Sequence, residues 1–344
     1  MKENTRRLID YSLPAVFENI LQTSVGFVDS VLIAKISLVA VSAVSLVNGV
    51  MAVYQAVFIA LAVAVATVVS NAAGARASKA VSENVRQSIA LSLMVGVILS
   101  ILSLVLAHPI LRAMGASGDI LQQGIIFFRV IAGTSVLIVL MTVLGQLIRT
   151  AGQTRTPLTI NLIVNILNFC LDFILIFGLF GFPRLGILGA GIGTALSRLI
   201  GVGLLFHKLQ QTSHRLQGPI FSRDQHIFKT EIVKRALPIM GERLMMRLGD
   251  IVIFVIIIAY GSKVFAGNAI GETITAYNYL PAFGFATGAS ILIARAYGAK
   301  DHLEIRKLTK TSFKTGAPVS SSVHTPCLKR SSDVILDAKT FEIC

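Results

Sequence analysis

The segment Thr159–Gly178, TINLIVNILNFCLDFILIFG, is long and apolar enough to cross a bilayer, yet it contains three amides and a carboxylate. At about 100° per residue these polar positions fall within an arc of roughly 60°; they are Asn161, Asn165, Asn168 and Asp172. A carboxylate at mid-membrane costs on the order of 3 kcal/mol, so the stripe is expected to face other helices or a water-filled cavity. Either the amides join helices, at about 0.6 kcal/mol each, or the stripe lines an ion or substrate pathway.

The composition of the whole chain is that of a polytopic membrane protein. Of its 344 residues 54% are hydrophobic and 14% charged, and the mean hydropathy is +0.76. The net charge of +14 lies between apolar stretches, and Trp is absent, so we expect no nucleic-acid partner. The basic N-terminus is followed by an apolar run that acidic residues interrupt, which indicates an uncleaved first membrane helix. The three cysteines imply neither a disulfide framework nor a metal site.

Apolar runs predict about eight membrane-spanning helices, at residues 13–33, 44–69, 88–107, 123–147, 157–180, 186–206, 237–260 and 272–294. The N-terminus and the loops after the even-numbered spans are rich in Lys and Arg, whereas the opposite loops hold one basic residue each. By the positive-inside rule the N-terminus is expected in the cytoplasm of a multi-pass inner-membrane protein.

An internal repeat relates the two ends of the chain at an offset of 224 residues. SLPAVFE, beginning at Ser12, resembles ALPIMGE, beginning at Ala236, and Gly74-Ala75-Arg76 recurs as Gly298-Ala299-Lys300. Six spans separate the copies, so both halves enter the membrane in the same orientation. The repeat therefore predicts two lobes about a pseudo-two-fold axis along the membrane normal, with a cavity between them.

The second lobe is predicted to be incomplete. The counterpart of the third span should begin near residue 312, but the sequence soon becomes polar and unable to cross a bilayer. We expect an all-α bundle of a 6+6 design: an N-lobe at 1–208, an inter-lobe loop at 209–232, a two-span partial C-lobe at 233–314 and a polar tail at 315–344. A truncated gene or a shifted reading frame is the interpretation favoured over a genuine cytoplasmic tail.

The first span carries a second polar stripe. Glu18, Gln22 and Asp29 fall within about 40° of one another, with Asp29 deep in the apolar run. Asp29 and Asp172 could share a proton or hold a cation. Oxygen ligands from Asn168 and a hydroxyl such as Thr194 would suit a hard ion like Na⁺, although Thr194 alone reads more simply as a packing hydroxyl.

The seventh span contains Arg243, Arg247 and Asp250 within about 60° of one another. This pattern fits either an intrahelical ion pair near the cytoplasmic interface or a cavity lining, and Glu242 lies on a different face. In the eighth span Glu272 and the segment from Tyr277 to Tyr279 lie near the outer end, where tyrosine is often an interfacial anchor. No metal-binding histidine pair, nucleophile elbow or nucleotide loop is present, so we expect a transporter driven by an ion gradient, without a cofactor, and not an enzyme.

These motifs together resemble one family. GFVDS ending at Ser30, NILNFCLDFILIFG, LGAGIGTALSR and the repeated LP openings are similar to those of the multidrug and toxic compound extrusion (MATE) transporters, over about residues 8–314. The resemblance implies twelve helices in two lobes and antiport of organic, often cationic compounds against H⁺ or Na⁺. It implies an N-lobe cation site at Asp29, Asn168 and Asp172, the residues that would hold Na⁺, with Thr194 a looser match.

The resemblance also leaves alternatives open. The substrate cavity candidates are Glu18, Gln22, Asn161, Asn165, Glu242 and Asp250. A flippase for lipid-linked precursors is one rival function, because two arginines lie within the seventh span. A non-functional transporter fragment is the other rival, because the last four helices of the family pattern are absent from this sequence.

Overall fold

The computed structural model describes residues 2–216, 218, 220, 231–259 and 262–320. Within its helices, the side chains at 2, 25, 27–31, 251, 254–255, 257–259, 262–279 and 316–320 fall outside that description. The side chains of Asp29, Glu272 and Tyr277 to Tyr279 and the tail from residue 321 onward therefore lie outside it as well.

Ten α-helices and no strands make up the described residues, which confirms the all-α fold class. In chain order they are α1 (Lys2–Ala34), α2 (Leu38–Gly74), α3 (Ser78–Ala113), α4 (Gly118–Gly133), α5 (Ser135–Thr150), α6 (Arg155–Phe177), α7 (Ile187–Gln210), α8 (Glu231–Ala259), α9 (Ser262–Gly298) and α10 (His302–Ser320). Within the described residues, five segments are long and apolar enough to cross a membrane: α2, α3, α4 with α5, α6 and α7.

The fourth predicted span is divided into two helices at Thr134. The Thr134 hydroxyl donates to the carbonyl of Val130 at 2.9 Å, and the backbone there leaves the helical conformation, with φ −102° and ψ 23°. Just past the break, the Val136 amide donates to Ser100 Oγ of α3 at 3.3 Å. Side chain to backbone hydrogen bonds of this kind offer the chain an alternative to helical bonding, and hydropathy alone does not detect them.

The contacts of the chain divide it into two compact units. Unit 1 comprises 1–20, 70–78 and 252–344, and unit 2 comprises 21–69 and 79–251. The interior of unit 2 contains an apolar cluster in which Val47, Leu111 and Phe128 are completely buried. Large apolar side chains on the outer faces of its helices are exposed, Ile101 and Val105 among them. This is the pattern expected where hydrocarbon takes the place of water as solvent.

In unit 1 the predicted repeat has a counterpart in backbone geometry. After α2 the amides of Ala75, Arg76 and Ala77 donate to the carbonyls of Asn71, Ala73 and Ala72; after α9 the amides of Ala299, Lys300 and Asp301 repeat the pattern on Arg295, Tyr297 and Ala296. Each of these bonds recurs at the same offset of 224 residues. The helix that follows also begins in register, because α3 starts at Ser78 and α10 at His302 rather than near 312.

Both of these helix ends place a basic residue in the left-handed region. Arg76 has φ 55° and Lys300 has φ 56°, at the position where glycine usually ends a helix. A side chain in this conformation costs roughly 1–2 kcal/mol, whereas glycine adopts it freely.

Arg76→Gly and Lys300→Gly are therefore each expected to stabilise the folded protein, by about 0.5–1 kcal/mol after the entropy of glycine in the unfolded chain is subtracted. The thermal unfolding midpoint in detergent measures the change. Lys79→Gly is the matched control, because Lys79 lies inside helix α3, where glycine destabilises by about 1 kcal/mol. Equal destabilisation by all three substitutions would contradict the argument from φ.

Candidate functional site

The candidate site lies in unit 2, where α7 packs closely against α6. Gly189, Gly193, Ser197 and Gly201 recur every fourth residue and so share one face of α7. A Cβ added at Gly189 would lie 2.7 Å from the Leu175 carbonyl oxygen, and one at Gly201 would lie 2.7 Å from Val164 Cγ2. This row of small residues lets the two backbones approach, and it places Thr194 next to the polar stripe of α6.

Asn168 joins the two helices through its amide group. Its Nδ2 donates to Asp172 Oδ2 at 3.0 Å and to Thr194 Oγ1 at 3.2 Å. Asp172 is 2% exposed and Asn168 is 6% exposed, so both groups are removed from solvent. The Thr194 hydroxyl donates in turn to the Ala190 carbonyl at 2.8 Å, which leaves its oxygen to accept from Asn168.

The chemistry of this group is that of a small oxygen cluster with one ionisable member. Every side-chain hydrogen bond to Asp172 Oδ2 and Thr194 Oγ1 described here comes from an amide donor, an arrangement that suits an ionised carboxylate. Carboxylate, amide carbonyl and hydroxyl oxygens are ligands of hard cations, and a carboxylate can equally take up a proton. Among the described residues no group of three or more His, Cys, Asp or Glu side chains is placed to hold a metal ion.

The other two amides of the α6 stripe lie outside this hydrogen-bonded trio. Asn165 and Asn161 are partly buried, one and two turns before Asn168. Within the described part of the chain, Asn165 Nδ2 is buried without a hydrogen-bond partner. The stripe thus continues along α6 from the trio toward the helix start.

The α1 candidates are placed differently from one another. Glu18 is buried and belongs to unit 1, while Gln22 is exposed and belongs to unit 2. The neighbouring Asn19 Nδ2 donates to the Leu280 carbonyl of α9 at 3.4 Å, also within unit 1. Asp29 lies on α1, and its side chain is outside the described residues, so its approach to Asp172 stays a prediction.

The α8 candidates are at the surface of their unit. Glu242 is exposed, and Asp250 Oδ2 lies 3.4 Å from Arg247 Nη1, with both side chains about half exposed (53% and 50%). The geometry is that of an intrahelical i, i+3 ion pair.

Sequence reasoning missed two residues beside the trio. Arg198 lies one helical turn after Thr194, and its Nη1 is buried. An arginine inside an apolar run was the available signal, because such residues are rare in membrane helices and usually functional. Gly193 is the second: a Cβ there would overlap Oδ1 of Asp172, a contact that no sequence pattern announces.

Comparisons with known proteins agree on one family. The MatE family model matches residues 14–174 and 238–323, more than half of the chain. The probable multidrug resistance protein NorM of Thermotoga maritima is 32% identical over 308 residues, which is 88% of this chain and 65% of that protein. The uncharacterized transporter YisQ of Bacillus subtilis is 28% identical over 56% of this chain and 43% of its own length.

Solved structures share the fold. A MOP superfamily transporter from Pyrococcus furiosus superposes with a TM-score of 0.84 at 24% identity, covering 93% of this chain and 71% of that one. An outward-facing multidrug resistance MATE family transporter also superposes with a TM-score of 0.84, at 23% identity and with coverages of 93% and 71%.

The chain spans about two thirds of the length of these relatives, 65% in the case of the Thermotoga protein. Family members are transporters and not enzymes, and the apolar helices make this a multi-pass membrane protein. The chain belongs to the MatE family of multidrug and toxic compound extrusion (MATE) transporters.

Proposed function

We propose that the protein exports organic, often cationic compounds across the inner membrane in exchange for H⁺ or Na⁺. The observation that carries this proposal is the buried trio in which the Asn168 amide binds both Asp172 and Thr194. A buried carboxylate held by amide and hydroxyl groups inside a transporter is a natural place for a coupling cation. The basic loops favour a cytoplasmic N-terminus.

The hydrogen bonds suggest how a cation would change the site. In the described geometry the Asn168 N–H groups point at Asp172 and Thr194, which suits an ionised carboxylate. When Asp172 takes up a proton on the bonded oxygen, that oxygen becomes a donor, so Asn168 must present its carbonyl oxygen instead. Na⁺ would require the same reversal, because a cation repels the N–H groups.

This reversal links the charge of Asp172 to the contact between α6 and α7. Turning the Asn168 amide breaks or remakes its bond to Thr194, and thus alters the packing of two helices. Alternating access needs such a difference in the affinity of one site for a ligand in two conformations. We propose Asp29 as the second carboxylate, on the strength of the family resemblance. The further cavity candidates are Glu18, Gln22, Asn161, Asn165, Glu242 and Asp250.

Asp172→Asn tests this function, because it keeps the size of the side chain and removes the charge. The 344-residue chain is reconstituted in liposomes, a Na⁺ or H⁺ gradient is imposed, and uptake of the organic cation ethidium is followed. We expect gradient-dependent uptake by the unmodified chain and its loss, by a factor of 10 or more, in Asp172→Asn. Asp29→Asn is expected to have the same effect.

Asp119→Asn is the matched control, since Asp119 is an exposed acid in the first turn of α4. It should transport like the unmodified chain. Equal uptake by Asp172→Asn and the unmodified chain would show that the cation site is elsewhere. No gradient-dependent uptake by the unmodified chain would favour the reading as a non-transporting fragment.

A further inference from the structure

The carboxylate of Asp172 lies directly on the backbone of α7. A Cβ added at Gly193 would overlap Asp172 Oδ1, and it would lie 3.3 Å from Asp172 Cγ and 3.1 Å from the Asp172 backbone nitrogen. The space that any other residue would fill at this position is therefore occupied by the functional group of the site. Asp172 is 2% exposed, so the carboxylate is enclosed on its other sides as well.

Other α7 glycines have different neighbours. The closest atoms to a Cβ at Gly189 belong to the backbone of Leu175, and those at Gly201 are the side chains of Val164 and Met141. At Gly203 nothing lies within 4 Å. Gly189 and Gly201 thus serve the packing of the helices, whereas Gly193 meets an ionisable group.

We propose that Gly193 is a positioning residue that sets the distance between the Asp172 carboxylate and the Thr194 hydroxyl, and through it the affinity of the site for its coupling cation. The inference rests on the function proposed above. Gly193 and Thr194 are consecutive, so the residue that supports the carboxylate also fixes the backbone from which the hydroxyl projects. One amide nitrogen of Asn168 reaches both partners, at 3.0 Å and 3.2 Å, only because they lie this close together.

A methyl group at residue 193 must displace the carboxylate. Ordinary van der Waals contact begins near 3.4 Å, so relieving the overlap moves Oδ1 away from α7 on the order of 1 Å. Functional groups need to be held within about 0.5 Å of their working geometry, so this movement separates the oxygens that would share one cation. Gly193→Ala is therefore expected to weaken cation binding without removing any ligand.

The test measures cation binding independently of transport. The purified 344-residue chain is titrated in detergent with Na⁺ at constant ionic strength, and separately with H⁺, and the thermal unfolding midpoint is recorded at each concentration. We expect Gly193→Ala to raise the cation concentration for half-maximal stabilisation at least tenfold. Gly203→Ala, the matched control on the same helix, should leave it within twofold.

The outcomes separate this inference from the proposed function. If no cation-dependent stabilisation is found that Asp172→Asn removes, the proposed cation site itself is wrong. If it is found and Gly193→Ala titrates like the unmodified chain, only the role of Gly193 is wrong. Should Gly193→Ala fold poorly, Asp172→Ala in the same chain frees the space for the methyl group and should restore the folded yield. Failure of this rescue would also overturn the inference.

Discussion

Gly74→Ala and Gly298→Ala are each expected to lower the thermal unfolding midpoint by about 5 °C or more, since overpacking a filled interior costs about 1–3 kcal/mol or more. A Cβ at Gly74 would overlap the Arg295 carbonyl oxygen and lie 2.8 Å from its carbon. A Cβ at Gly298 would overlap the Asn71 carbonyl oxygen and lie 2.7 Å from that carbon. Both obstacles are backbone atoms, which cannot turn aside as a side chain can.

The two contacts are related by the internal repeat. Gly298 follows Gly74 by 224 residues, and Arg295 follows Asn71 by the same number, so each glycine meets the counterpart of the other's neighbour. The ends of α2 and α9 therefore cross in unit 1 through a reciprocal pair of glycines. We expect the two substitutions to have similar effects for this reason, although their local sequences differ.

Thermal unfolding in detergent, followed by size-exclusion chromatography of the remaining folded protein, measures both effects. Gly203→Ala and Gly249→Ala are the controls, because a Cβ at either position has no atom within 4 Å. In these helices alanine should be neutral or stabilise by up to about 1 kcal/mol. A midpoint unchanged by Gly74→Ala or Gly298→Ala would show that the crossing is looser than described here.

The regular features of the fold were accessible from sequence because they follow from composition and period. Apolar runs identified the membrane helices, and the recurrence of Gly74-Ala75-Arg76 at Gly298-Ala299-Lys300 identified the repeat. The break at Thr134 was missed because it depends on one hydroxyl bonding to the preceding turn. The start of α10 was placed ten residues late, because polar sequence hid the helical counterpart of the start of α3.

The candidate site was accessible only in part. Helical spacing placed Asn168 and Asp172 on one face, and family resemblance brought in Thr194, but no residue pattern specifies which atom donates to which. The support of the carboxylate by Gly193 depends on two backbones approaching to within a few ångströms, which is a tertiary property. The apposition of Asp29 and Asp172 stays a prediction.

Asn168→Ala is the second substitution with a large expected effect, a loss of about 2–4 kcal/mol of folding stability. It leaves a carboxylate that is 2% exposed without its amide donor, and hydrogen bonds to charged groups are worth about 1.5–3 kcal/mol. It also removes the bond to Thr194, and with it a link between α6 and α7. Unfolding in mixed micelles of increasing denaturing detergent gives the free energy.

A double-mutant cycle with Asp172→Asn shows whether the charge is the cause. With a neutral amide at residue 172, the loss caused by Asn168→Ala should fall to about 1 kcal/mol, a coupling of about 1–3 kcal/mol. Asn165→Ala is the matched control, one turn earlier on the same stripe, where Nδ2 has no hydrogen-bond partner within the described residues. That change should cost less than about 1 kcal/mol. Additive effects at Asn168 and Asp172 would mean that the amide does not stabilise the charged carboxylate, and the central hydrogen bond of the proposed cation site would lose its energetic basis.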